Sequence, residues 1–188
     1  MDIRQEDVEA FIAEQKALKE KYLAENDPLP EDFPRGFIFA SGAGAWGSSL
    51  SLWPDGTFTG SYHDSEMGEN GEDYPNGTVY QSEYKGKFTK IEKLNDWSYS
   101  LTLGEITTTD PIGEEYLSDG IRFVAAEPHG LTGGREFILY TPEAPTAELP
   151  LEFLEWNPGG YIWIEENHET LGSYAIRNLA TDHGFYCS

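Results

Sequence analysis

The densest concentration of potential chemistry is His63-Asp64-Ser65-Glu66-Met67-Gly68-Glu69-Asn70-Gly71-Glu72-Asp73. Carboxylate and amide oxygens at short spacing, with glycines that let a backbone fold around an ion, suit a hard cation such as calcium. Asp64 and Asp73 are the first-choice ligands, and calcium is the one cofactor the sequence suggests. The pattern is not that of an EF-hand, because the turn glycine is missing and no flanking helices are expected. The plainer reading is a solvated acidic loop between two strands.

Other chemistries find less support. The four histidines, His63, His129, His168 and His183, are scattered, whereas structural zinc takes closely paired Cys and His ligands. There is no Gly-x-Ser-x-Gly elbow for a nucleophile. The single cysteine, Cys187, excludes an intrachain disulfide and fits a reducing compartment. Gly130-Leu131-Thr132-Gly133-Gly134 lacks the Lys-Ser/Thr of a phosphate-binding loop. With 34 Asp and Glu residues present, two carboxylates placed for glycosidase chemistry carry no information. The residues point away from an enzyme.

Charge is more informative. Lys and Arg number 12 against 34 acids, a formal charge of −22 over 188 residues. Such a balance argues against direct nucleic-acid binding, which needs clustered cations. Gly36 to Tyr84 contains seven acids and neither Lys nor Arg, and Leu94 to Ser188 sets sixteen acids against three arginines. Lys85, Lys87, Lys90 and Lys93 form a basic cluster, expected around one hairpin. A field of this sign speeds encounter with a basic partner, so Glu66, Glu69, Glu72 and Asp73 are candidate partner contacts. A second reading uses Trp46, Trp53, Trp97 and Trp163 to line a ligand cavity or a glycan-stacking face.

The elements that must position these residues follow from periodicity. Val8, Phe11, Ile12, Leu18, Tyr22 and Leu23 make one stripe of a helix over residues 2–26, with Asp2 as its cap. That helix is expected to pack across a sheet or barrel mouth, with partner binding or dimerisation as the alternative. Pro28, Pro30 and Pro34 then impose an extended linker over 28–35, so that 1–27 is the helical region and 36–188 a single β domain.

Beyond Gly36, strand-like runs alternate with turn signals such as Pro54-Asp55-Gly56. Lys85-Gly86 and Asn95-Asp96 read as hairpin loops, Glu148 to Trp156 as a short helix, and Tyr161 to Ile164 as a strand. The fold class is mainly β: an antiparallel meander of about seven to nine strands, a lipocalin-like barrel or a sandwich, with an N-terminal α-helix. The barrel is favoured because closure removes exposed strand edges.

Ser41-Gly-Ala-Gly-Ala-Trp46, Pro54-Asp-Gly-Thr-Phe58, Gly60-Ser-Tyr-His-Asp-Ser65, Met67-Gly68 and Tyr74-Pro-Asn-Gly-Thr-Val-Tyr80 together resemble a β-rich module of uncharacterised bacterial proteins and lipoproteins. The resemblance spans about Phe37 to Leu154. It implies a β domain and carries no catalytic residues.

Two functions are therefore expected. The first is a non-enzymatic acidic interaction protein, such as an inhibitor, immunity protein or nucleic-acid mimic, that covers a basic surface of a nucleic-acid-binding partner, for instance an enzyme. The second is a lipocalin-like barrel for a small molecule or glycan. The acidic opening Met1-Asp2-Ile3-Arg4 is no signal peptide. The expected location is the cytoplasm, with export after leader removal as the alternative. No apolar run approaches the roughly 20 residues of a membrane helix.

Overall fold

The computed structural model describes residues 4–187. Eight strands close into an antiparallel barrel: β1 (Gly36–Ala40), β2 (Trp46–Leu52), β3 (Thr57–Glu66), β4 (Thr78–Asn95), β5 (Ser98–Thr108), β8 (Glu136–Tyr140), β9 (Ala175–Asn178) and β10 (Gly184–Cys187). They pair in that order, and β10 returns to β1 with Phe37 opposite Cys187. Between β5 and β8 the chain makes a hairpin of β6 (Glu115–Ser118) and β7 (Ile121–Ala125). This hairpin joins the barrel through a parallel pairing of β7 with the start of β4, bringing the strand total to 10. A sandwich is thereby excluded.

Successive side chains of a strand point to opposite faces, one of which lines the barrel interior. In β1, Phe37 and Phe39 point inward while Ile38 faces out. Phe58, Phe88, Leu101, Phe137 and Phe185 fill the same interior, each no more than 1% exposed. Burial of each such side chain contributes about 1.5–3 kcal/mol. A second apolar cluster lies outside the barrel, where Tyr140, Leu149, Phe153 and Tyr186 hold the excursion between β8 and β9. Among the described residues no helix is long and apolar enough to cross a membrane.

Four expectations require correction. Lys85-Gly86 is not a loop but lies within β4, a strand of 18 residues. A Cβ on Gly86 would come 2.5 Å from Cζ of Phe58. The glycine marks a ring's close approach rather than a turn, and the four lysines therefore run along one strand.

Tyr161 to Ile164 is not a strand but part of α3 (Gly160–Glu165). The barrel is closed and offers it no edge, and its Tyr161 and Ile162 are 72% and 71% exposed. The helix expected over 148–156 is split into a 3-10 turn (Thr146–Glu148) and α2 (Leu151–Leu154), with Pro150 at the N-cap.

Helix α1 (Gln5–Glu25) forms as read, although Asp2, its expected cap, lies outside the described residues. Its packing does not follow the expectation, since Tyr22 alone is buried and Val8, Phe11, Ile12, Leu18 and Leu23 stay exposed. The barrel end where β1 begins is filled instead by the proline-rich segment. Leu29 is buried there, and Phe33 packs against Phe37 and Tyr174 at ring separations of 5.7 Å.

Candidate functional site

Two regions gather side chains that chemistry or recognition can use. The first is the acidic flap. Parallel pairing of β4 with β7 sets the 67–77 loop beside the β6–β7 hairpin, and Asn76 ties them by donating its backbone N–H to Gly120 and its side-chain amide to Asp119. Acids from two distant segments are thus carried on one structure: Glu66, Glu69, Glu72 and Asp73 from one, and Asp110, Glu114, Glu115 and Asp119 from the other, all exposed.

Arg122 sits among them as an anchor. Its Nη2 lies 3.2 Å from Oε2 of Glu69, its Nε donates to Thr78, and its guanidinium covers the Tyr74 ring at 4.8 Å. The Tyr80 hydroxyl donates to the same Glu69 oxygen at 2.7 Å, and that bond raises the phenol's pKa. Glu69 is consequently a structural residue of the flap. Glu66, Glu72 and Asp73 make no ion pair among the described residues and face solvent.

The calcium candidates are placed differently from each other. Asp64 is half-buried on β3 and accepts a long hydrogen bond from Tyr62 at 3.4 Å, while Asp73 is exposed on the loop. Among the described residues no three His, Cys, Asp or Glu side chains converge as a metal site.

The second region is the barrel mouth, where β1 ends and β10 begins. Phe39 forms its floor, only 1% exposed. His129 and His183 stack on Phe39 at centroid distances of 5.4 and 4.9 Å, both at 28°, and lie 5.3 Å from each other. Trp46, Trp156 and Tyr62 complete the ring of aromatics.

Burial lowers the pKa of both imidazoles. Asp64 partly opposes this at His129, while at His183 the neighbouring His129 adds to it and Asp182 opposes it. Burial first, then Asp64, pushes the Tyr62 hydroxyl up to about 12. Nδ1 of His183 is buried and has no hydrogen-bond partner among the described residues. The site is thus a pair of imidazoles whose pKa burial lowers, and among the described residues neither has a hydrogen-bonded nucleophile.

The four tryptophans named from sequence do not share a cavity. Trp46 is at the mouth, Trp53 lies in the turn after β2, Trp97 stacks on Tyr140, and Trp163 stacks on His168 on the far excursion. The barrel interior is filled by the aromatic and aliphatic core. A concavity of 810 Å³ lies on the outer face instead, lined by Ser49, Thr59, Ser61, Glu83, Lys85 and Thr107.

Sequence reasoning missed His129, His183 and Trp156 as a group. A signal was present: both histidines precede glycine, in His129-Gly130 and His183-Gly184. A Cβ on Gly130 would come 2.7 Å from Phe39, and one on Gly184 2.8 Å from Phe153. Each glycine lets the chain pass tightly over a ring and sets its histidine above the barrel end.

Compared with protein families, with curated proteins and with solved structures, the chain matches none of them.

Proposed function

We propose that this chain is a non-enzymatic acidic interaction protein whose partner carries a basic surface, such as the nucleic-acid groove of an enzyme that it inhibits or neutralises. The observation that carries the reading is the flap, where acids of residues 66–73 and 110–119 are displayed together on strands and a tied loop. A net charge of −22 makes encounter with a cationic surface fast. The rigid mounting reduces the ordering cost of binding, since the Glu69–Arg122 pair and the β4–β7 ladder already hold the loop. Carboxylates on such a scaffold mimic phosphates without any catalytic group.

The test is recovery of partners from the native host's lysate at low salt. Retention of one basic, nucleic-acid-binding protein is expected, with yield falling steeply as salt rises, because screening acts within about 10 Å at 0.1 M. Replacing Glu66, Glu72 and Asp73 by their amides is expected to slow association far more than it speeds dissociation. Displacement of the partner by nucleic acid would identify mimicry. Recovery of no basic protein at any salt overturns the reading and leaves a ligand barrel to be examined.

A further inference from the structure

Helix α1 carries more exposed apolar surface than its one buried contact uses. Phe11 and Ile12 are 61% and 59% exposed, and Leu18 is 54% exposed. Val8, Phe11, Gln15, Leu18 and Tyr22 succeed one another at spacings of three, four, three and four, the seam of a helix–helix pair. The seam is continuous with an existing contact, because Tyr22, its last member, is docked on the barrel and donates its hydroxyl to Phe88 O at 2.8 Å.

Charge along the helix is divided. From Gln5 to Gln15 it bears Glu6, Asp7, Glu9 and Glu14 and no Lys or Arg. From Lys16 to Glu25 it bears three lysines and two acids. The groove where this second half meets the barrel, 330 Å³ in volume, is lined by Leu18, Lys19, Lys21, Tyr22 and Lys87 among others. Lys87 lies over the Tyr22 ring at 4.1 Å. Asp55 at the groove's rim is turned onto Thr57, whose hydroxyl donates to it at 2.6 Å. Glu20 and Glu25 reach Lys16 and Lys21 only at 4.0 Å.

We propose that α1 is a self-association element. Two copies pair their helices antiparallel, each laying its acidic, Phe11-bearing half into the lysine-flanked groove of the other. The occupant is a second copy because the surface that fits the groove, apolar residues flanked by acids, is the other half of the same helix. Antiparallel pairing sets acid against lysine twice, as a two-fold axis requires, whereas parallel pairing sets acid against acid. The polar Gln15 falls at the axis and faces its own symmetry mate, which fixes the register.

Sedimentation of the full chain over a concentration series tests this. The expected mass rises to twice 21.1 kDa. Phe11→Glu, on an exposed face, is expected to leave the β-sheet circular dichroism unchanged, to yield a monomer and to make the melting temperature independent of protein concentration. Lys16→Glu with Lys21→Glu is expected to weaken association about tenfold, and adding Glu9→Lys with Glu14→Lys to restore it. In a Cys187→Ser background, Gln15→Cys is expected to form a disulfide-linked dimer. Asp7→Cys is not, since eight residues from the axis place the two thiols about 24 Å apart. A monomer at every concentration, failure of the restoring pair, or preferential cross-linking at position 7 would each overturn the proposal.

Discussion

At the base of the barrel, where β1 begins, the chain's own segment 26–35 closes the opening, and its polar atoms are matched. Asn26 Oδ1 accepts the Ile91 amide at 2.5 Å, Asp27 accepts that of Lys93 at 2.6 Å, and Tyr174 donates to Asp32 at 2.8 Å. At the mouth, where β1 ends, closure is by aromatic rings from six separate parts of the chain, packed face to face or edge to face, and one ring nitrogen is left without a partner among the described residues. The base is sealed by a contiguous segment with satisfied hydrogen bonds. The mouth is sealed by residues that meet only when the barrel closes, and two of them are imidazoles whose pKa burial lowers. Stability at the two ends should therefore respond to different perturbations.

The largest effect is expected at Phe39. Truncation to Ala removes the floor on which both imidazoles, Trp46 and Trp156 rest, and should cost about 3–5 kcal/mol, or roughly 10 °C in melting temperature. Phe33→Ala at the base should cost about half as much, because Phe33 is only partly buried. Urea unfolding of both variants measures the contrast. Equal losses would mean that the ends are anchored alike.

Asn26→Ala addresses the base without touching its apolar contacts. It strips the Ile91 N–H of its acceptor at the β4 edge that β3 does not cover, and frees the Tyr22 carbonyl that the Asn26 amide reaches at 2.8 Å. A loss of about 1–3 kcal/mol is expected, of equal size at roughly pH 8 and pH 6. A loss that grew on acidification would show that the base, too, is coupled to a titrating group.

The same contrast explains what the sequence reveals. The β-prone run Phe37-Ile38-Phe39 and the Pro54-Asp55-Gly56 turn announce β strands, because β propensity and turn chemistry are local. The base was half legible: three prolines mark an extended segment, but nothing local says that Leu29 and Phe33 turn inward. The mouth was not legible, since His129 and His183, far apart in the sequence, come together only in the folded barrel. Gly86 misled because a glycine in a strand reads as a turn unless the ring above it is known. Likewise the acids were countable from composition. Their convergence on one flap depends on the parallel β4–β7 pairing, which no nearest-neighbour rule anticipates.

The smallest expected effect is at His183. Burial holds both mouth imidazoles below the ordinary value of 6.5, so the unfolded chain takes up protons before the folded one as pH falls. Their contribution to stability is therefore complete above pH 6.5 and is lost as the pH drops toward the lowered folded values. Asp64 and Asp182 soften the loss by favouring the charged rings, while the imidazoles' mutual repulsion sharpens it. His183→Phe keeps a flat ring on Phe39, removes one titrating site and removes the unpartnered Nδ1. It should gain about 1 kcal/mol at neutral pH and flatten the fall in melting temperature between roughly pH 7 and pH 5. The net charge of −22 adds a background of repulsion common to parent and variant. The informative quantity is thus the difference between variant and parent at each pH, in which that background cancels. A difference constant with pH would mean that His183 stays uncharged across the whole interval and that the mouth, like the base, is indifferent to acid.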